Sequence, residues 1–154
     1  MPDTVYFYRT AYPFSNFHPS VFTEDGMAYR WDEQYLMARK ARLFGDEERL
    51  AARTPAECKA LGRRVTPYDD EVWTHERYEV ALDMLRLKFG QNDGLRAVLL
   101  DTGDAPLVEA SPTDRIWGIG FSEDRAEANR HAWGENLLGR ALMVVRAEVR
   151  NQSP

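Results

Sequence analysis

The stretch that most constrains this 154-residue chain is Ala110–Gly120, read A-S-P-T-D-R-I-W-G-I-G. It follows Pro106–Val108, a short apolar run with the look of a strand, so a strand hands over to a loop here. The ring of Pro112 pushes Ser111 out of the helical region, which predicts an extended or turn geometry. Gly118 and Gly120 then permit backbone angles, or a close approach of backbone to another group, that other residues resist. Between these markers stand one carboxylate (Asp114), one guanidinium (Arg115) and one indole (Trp117). Loops held on a rigid scaffold carry function disproportionately, so this one reads as part of a site. The alternative is a tight turn whose Trp117 fills the core.

The length predicts a single domain over residues 1–150 with a frayed tail at 151–154. A hydrophobic fraction of 44% and a charged fraction of 29% are those of an ordinary folded protein. The net charge of −5 argues against stable nucleic-acid binding through phosphates, although a single nucleotide or modified base can still enter a locally basic pocket. A single cysteine, Cys58, excludes an intrachain disulfide and predicts a reducing compartment. No apolar run approaches the ~18 residues of a membrane span and no signal peptide is evident, which together predict a cytoplasmic protein without membrane contact.

The element pattern is α+β, predominantly helical with a small β-sheet. Strands are expected at Val5–Tyr8 and, around a Gly26 turn, at Val21-Phe22 and Ala28–Trp31. Asp32 is the expected N-cap of a helix running to about Phe44, with Gly45 beyond its end. Thr54-Pro55-Ala56-Glu57 has the form of a capping box, with Gly62 closing that helix. A longer helix from Asp69/Asp70 to Phe89 is expected to end at Gly90, and another, Asn92–Thr102, at Gly103. Ser122–Trp133 is a weak helix and Asn136–Arg150 a stronger one, in which Gly139 lowers propensity by about 1 kcal/mol relative to alanine.

Residues three and four apart on a helix are neighbours. Those of Lys40 are Leu36, Met37, Leu43 and Phe44, all apolar, and Glu33 lies two turns earlier on the same stripe. Burial lowers an amine's pKa, which is how a lysine becomes nucleophilic near neutral pH. The alternative is that Lys40 snorkels to solvent and Glu33 merely complements the positive helix start. For Trp73 helical periodicity favours plain core packing. Asn16 and Asn136 are each able to present an amide to a ligand or to cap a turn. Arg9, Arg39, Arg63 and Arg64 are candidates for phosphate, though surface arginines usually meet water. The three histidines have no metal-ligand spacing, so no metal is expected. Gly118-x-Gly120 lacks the third glycine of a dinucleotide fingerprint, there is no P-loop and no nucleophile elbow, and no cofactor is expected.

The chain resembles the NADAR family, the YbiA-like N-glycosidases. The matching pieces run in order from Val5 to Arg146: Ser15-Asn16-Phe17 with Pro19, Glu33-Gln34-Tyr35 with Lys40-Ala41, Trp73, Lys88-Phe89, Glu109, Ser111-Pro112-x-Asp114-x-x-Trp117-Gly118-x-Gly120, and Gly134-x-Asn136-x-Leu138-Gly139 leading to Leu142-Met143-x-Val145-Arg146. Each piece is weak and the ordered set is specific. The resemblance implies cleavage of an N-glycosidic bond between ribose or ADP-ribose and a base. The substrates it implies are ribosylamino-pyrimidine phosphates of early riboflavin synthesis, or ADP-ribosylated guanine in DNA or RNA. Family positions tied to activity fall on Glu33, Trp73 and Asp114, with Lys40 as the amine. Asn16, Phe17, Tyr35, Ser111, Trp117, Gly118 and Asn136 complete the expected substrate-binding set. A non-catalytic ADP-ribose or NAD-binding module using the same pocket is the alternative, and the presence of both acids and the amine favours the enzyme. An NAD-consuming hydrolase would differ only in substrate.

Overall fold

A computed structural model describes residues 3–9, 11–46 and 55–152. The N-terminal strand β1 (Val5–Phe7) pairs in parallel with β4 (Leu107–Glu109), in the register Val5 to Leu107, Tyr6 to Val108 and Phe7 to Glu109. A separate antiparallel hairpin joins β2 (Phe22–Glu24) to β3 (Met27–Tyr29). Its two-residue turn holds Asp25 at φ 52° and Gly26 at φ 80°, the doubly left-handed geometry that matches the twist of paired strands. The sheet component is therefore two small pairs rather than one sheet.

The helices follow as α1 (Asp32–Leu43), α2 (Pro55–Gly62), α3 (Asp70–Gln91), α4 (Asp93–Asp101), a short α5 (Glu123–Ala126) running into a 3₁₀ segment (Glu127–Ala132), and α6 (Leu137–Gln152). The spine is α3, about 33 Å long at 1.5 Å per residue. Its N-cap is Asp69, whose carboxylate accepts the amide hydrogens of Glu71 and Val72. It packs on α6, α1 and α4. Leu138, Leu142, Val145 and Val149 form a buried stripe on α6 that meets Val80, Met84 and Leu85 of α3, with Phe7 and Leu107 of the parallel pair in the same core. The weak helix former Gly139 has a reason: a Cβ there would stand 2.1 Å from the carbonyl oxygen of Leu107. Backbone contact between α6 and β4 requires its absence.

Several boundaries differ from expectation. Trp31, not Asp32, is the N-cap of α1. Asp32 is wholly buried and its carboxylate is taken by Lys88 of α3 at 2.9 Å, so it has no role as a cap. Gly90 lies within α3, which ends at Gln91, because a helix tolerates one glycine where tertiary packing continues. The Ser122–Trp133 segment breaks in two, with Asn129 at a non-helical φ of −117°. Asn136 precedes α6 at φ 50° instead of opening it, and α6 runs on through Gln152, so residues 151 and 152 are its last turn rather than a frayed tail. Thr54, the cap of the predicted capping box, lies outside the described residues, although α2 does begin at Pro55. Among the described residues no helix is long and apolar enough to cross a membrane.

Candidate active site

The organising loop is built by its own polar groups. The Asp114 amide donates to Ser111 Oγ at 3.2 Å, and Asp114 Oδ1 accepts from the amides of Ile116 and Trp117, each at 2.9 Å. The far side of the loop covers the start of α6: the carbonyls of Ile116 and Trp117 accept from the amides of Leu137 and Leu138 at 3.0 and 3.1 Å. Orphan amides at a helix start need such acceptors. Gly120 takes φ 80°, and a Cβ on Gly134 would fall 2.3 Å from the Arg115 carbonyl, so neighbouring backbone fixes the loop as firmly as its own turn. With Oδ1 occupied, the second oxygen of Asp114 is turned to Lys59, whose Nζ lies 3.8 Å away.

This loop forms one wall of a cavity of about 550 Å³ between α1, α2 and the start of α3. Glu33, Lys40, Trp73, Asp114 and Trp117 all line it, so the structure gathers five of the expected residues around one space. Glu33 is buried, and its amide donates to the Asn16 carbonyl at 3.2 Å, which fixes the first turn of α1 against the proline-fenced loop. Burial pushes its carboxyl pKa up to about 7; Lys59 opposes, while Asp32 and Asp114 add to the rise. An acid poised there can give or take a proton near neutral pH.

Lys40 is half-buried, with Nζ 4.6 Å from the centre of the Tyr68 ring and 5.5 Å from that of Trp73. Burial lowers its pKa, with Asp70 opposing, Arg63 adding to the fall and Glu33 opposing. Its head group stands on the cavity wall and makes no ion pair with a carboxylate among the described residues. Trp73 resolves two readings into one: it is 8% exposed and part of the main core, and the same ring lines the cavity. Half-buried Trp117 lies on the loop wall.

The remaining expected residues stand off the cavity wall. Tyr35 is buried among Phe22 and Tyr29, its hydroxyl bonded to Arg39 at 2.6 Å and to Glu24 at 3.2 Å, because the next position on α1 after the cavity stripe faces the β-hairpin. Asn136 gives both ends of its amide to β4: Oδ1 accepts from Glu109 N at 2.9 Å and Nδ2 donates to Leu107 O at 3.0 Å. It extends the ladder on the side of β4 away from β1 and presents no amide to a ligand. Ser111 serves the Asp114 turn, and Gly118 packs 2.7 Å (from a would-be Cβ) against the Glu109 carbonyl. Asn16 is buried, and Phe17 sits with the Lys59 ammonium 5.6 Å above its ring.

Sequence reasoning missed Lys59 on the cavity wall, and of its four candidate arginines, Arg9, Arg39, Arg63 and Arg64, the structure brings only Arg63 to that wall. The four-residue spacing places Arg63, one residue past the end of α2, over Lys59, its amide bonded to the Lys59 carbonyl at 3.2 Å, a signal that was available. Gly62 stands against Met37 of α1, where an added Cβ would make an ordinary contact at 3.8 Å. Arg39 is instead paired with Asp83 at 3.0 Å. Cys58 also lines the cavity, but burial pushes its thiol up to about 11, the wrong direction for a nucleophile. Among the described residues no group of three or more His, Cys, Asp or Glu is placed to hold a metal ion.

Comparison with known proteins places the same residues in a family. The chain is 40% identical over 139 residues to N-glycosidase R617 of Acanthamoeba polyphaga mimivirus, covering 86% of this chain and 82% of that protein. It is 33% identical to N-glycosidase YbiA of Escherichia coli, over 97% of this chain and 91% of the relative. A riboflavin biosynthesis protein of Vibrio vulnificus is 34% identical across this whole chain, which spans 41% of that longer protein. The NMR structure of the E. coli protein YbiA superposes with a TM-score of 0.81 at 31% identity, over 99% of this chain and 88% of the other. The match to the NADAR domain runs from residue 6 to residue 150 and takes in every element that shapes the cavity, so the chain belongs to the NADAR family.

Proposed function

We propose that this protein is an N-glycosidase that cleaves the bond between C1′ of a ribose and a base nitrogen. The observation that carries the reading is the convergence of Glu33, Asp114, Lys40 and two indoles on one cavity. Departure of a base builds positive charge on the ribose, and Asp114, held by two backbone amides through one oxygen, has its other oxygen, near Lys59, at the cavity wall to stabilise such charge. Glu33, with its pKa near 7, is the group to protonate the leaving nitrogen. Trp73 and Trp117 supply flat faces for the base. Lys59, Arg63, Arg77 and Lys40 give the wall a positive lining despite the acidic chain, which suits a phosphorylated substrate. The substrate class is a ribosylamino-pyrimidine phosphate or an ADP-ribosylated guanine. The relatives named as N-glycosidases fit either substrate, and the one named for riboflavin biosynthesis supports the first. A cytoplasmic location belongs to the same proposal.

The test is to incubate the pure protein with a ribosylamino-pyrimidine phosphate and, separately, with ADP-ribosylated guanine in DNA, and to measure released base and sugar. Release from neither overturns the reading. The role of Lys40 is tested in the same assay. A neutral amine attacking C1′ would expel the base and leave an imine that water hydrolyses, and borohydride added during turnover would fix it as a protein–sugar adduct. The adduct mass is expected on Lys40 and absent from Lys40→Arg, since arginine keeps the charge but forms no imine at neutral pH. An active Lys40→Arg with no adduct in either protein assigns the attack to water.

A further inference from the structure

Glu109 ends β4 directly behind the loop wall of the cavity. Its backbone is held from two sides: its amide donates to Asn136 Oδ1 at 2.9 Å and its carbonyl accepts from Ile119 N at 3.0 Å. Its side chain is packed as tightly. A Cβ on Gly118 would stand 3.1 Å from Glu109 Oε2, as well as 2.7 Å from the carbonyl, so this glycine makes room for the carboxyl group. Oε2 is buried and has no hydrogen-bond partner among the described residues. The charged groups acting on it are Asp114 from the loop, Glu33 from α1 and Lys59 from α2. An ionised carboxylate there would have an oxygen cut off from water and would face two like charges against one opposite. Asn136 and Gly118, expected at the substrate, together hold this third acid in place.

We propose that Glu109 is a positioning residue for the cleavage step: a third carboxyl group, kept as the neutral acid behind Glu33 and Asp114, that limits the negative charge of the reacting pair. The proposal rests on the N-glycosidase reading. Burial raises the Glu109 pKa to about 8, Asp114 and Glu33 add to the rise and Lys59 opposes it. Glu33 lines the open cavity, where Lys59 and Arg63 both favour its charged form, whereas Glu109 stands behind the wall with Lys59 alone, so Glu33 is the acid placed to exchange its proton with a substrate. Glu33 gives a proton to the departing base nitrogen and recovers one from the water whose hydroxyl ends on C1′. The Glu109 proton takes no part in that balance. Once Glu109 ionises, a further negative charge stands beside both acids and the proton transfer is disfavoured.

The experiment compares wild type with Glu109→Gln, a neutral group of the same shape, in two measurements. The first is Tm between pH 5 and 8. Unfolded, Glu109 releases its proton near 4.5, and folded near 8, so across this range the folded protein holds an extra proton and loses stability as pH rises. The variant lacks this loss, so its Tm should gain on that of wild type with rising pH. Parallel curves, or a variant that fails to fold, overturn the proposal, since a neutral side chain should fit. The second is the pH profile of kcat/KM for base release. The variant should retain activity within about tenfold near neutrality and lose one of two ionisations from the alkaline limb. An unchanged alkaline limb overturns the positioning role. So does a loss above about 100-fold at every pH with Tm intact, which would make Glu109 a catalytic acid. If wild type cleaves neither substrate, the N-glycosidase reading fails, and the Tm curves still decide whether Glu109 carries the proton.

Discussion

Asp32 and Glu33 are consecutive acids in the first turn of α1, and both are buried, yet they belong to different regions of the molecule. Asp32 points inward to Lys88, which is itself wholly buried and also reaches the Ser15 carbonyl at 3.5 Å. That pair joins α1, α3 and the Ser15 loop: Oδ2 has its own dedicated cation, although Oδ1 is buried without a hydrogen-bond partner among the described residues and burial still raises the carboxyl pKa against the pull of Lys88. Glu33 points to the cavity, where the nearest cation, Lys59, is shared with Asp114 and Glu109. One turn of helix thus carries one acid whose partner is built in and one whose compensation is incomplete until a ligand arrives. The contrast teaches that burial alone does not mark a catalytic carboxylate. What marks it is burial against an open space with too few partners.

The comparison breaks if the two positions respond alike to substitution. Glu33→Gln is expected to lower kcat by about 10²–10⁴ while the protein stays folded, and Asp114→Asn to fall in the same range, as measured by base release beside thermal melting. Near-full turnover in both variants would remove the acids from the mechanism. Lys88→Met should show the opposite pattern. It strands Asp32 without its cation and costs roughly 3–5 kcal/mol in urea denaturation, whereas adding Asp32→Leu to it should recover much of that loss. Trp73→Ala should lie between the two, because its ring serves both regions. Stability should drop by roughly 3–5 kcal/mol from the lost core volume, and substrate binding should weaken beyond what the unfolded fraction explains. A KM unchanged after correction for folded protein would return Trp73 to the core alone.

The smallest effect sharpens the comparison through pH. Glu33 has a folded pKa of about 7 against an ordinary 4.5, so between those values the folded state holds a proton that the unfolded state has lost. Stability from this group is therefore fully present below pH 4.5 and decreases as pH rises towards 7. Relative to Glu33→Gln, wild type should lose urea stability over that interval, and a constant difference between the two would contradict the assigned burial.

Local chemistry made much of this legible. Asp69 as a cap, Gly45 and Gly103 beyond helix ends and the Gly26 turn all depend on neighbours a few residues away, and they stand where the sequence put them. So does the Asp114 loop, whose turn is made by Ser111 and Asp114 themselves. Legibility failed where partners are distant. Asp32 reads as a cap until Lys88, 56 positions away, claims it. Asn136 reads as a ligand amide because its real partners lie 27 and 29 residues back. The spacing of Lys59 and Arg63 was readable but the wall they face exists only once α2 packs on α1, and the shielding of Glu109 Oε2 at the end of a three-residue strand leaves no periodic trace.

The parallel pairing of β1 with β4 has a consequence for how the molecule comes to exist. Val5 meets Leu107, 102 positions further on, and among the described residues neither strand pairs with any other strand. During synthesis the first strand must wait for residues 107–109 before its backbone groups find their ladder, and contacts of such high order slow folding. The carboxylate loop follows β4 directly, and its outer contacts go to the amides of Leu137 and Leu138, further along the chain still. The three acids stand on three separate pieces, Glu33 on α1, Glu109 at the end of β4 and Asp114 in the loop, so their assembly depends on contacts far apart in sequence, the kind that form slowly.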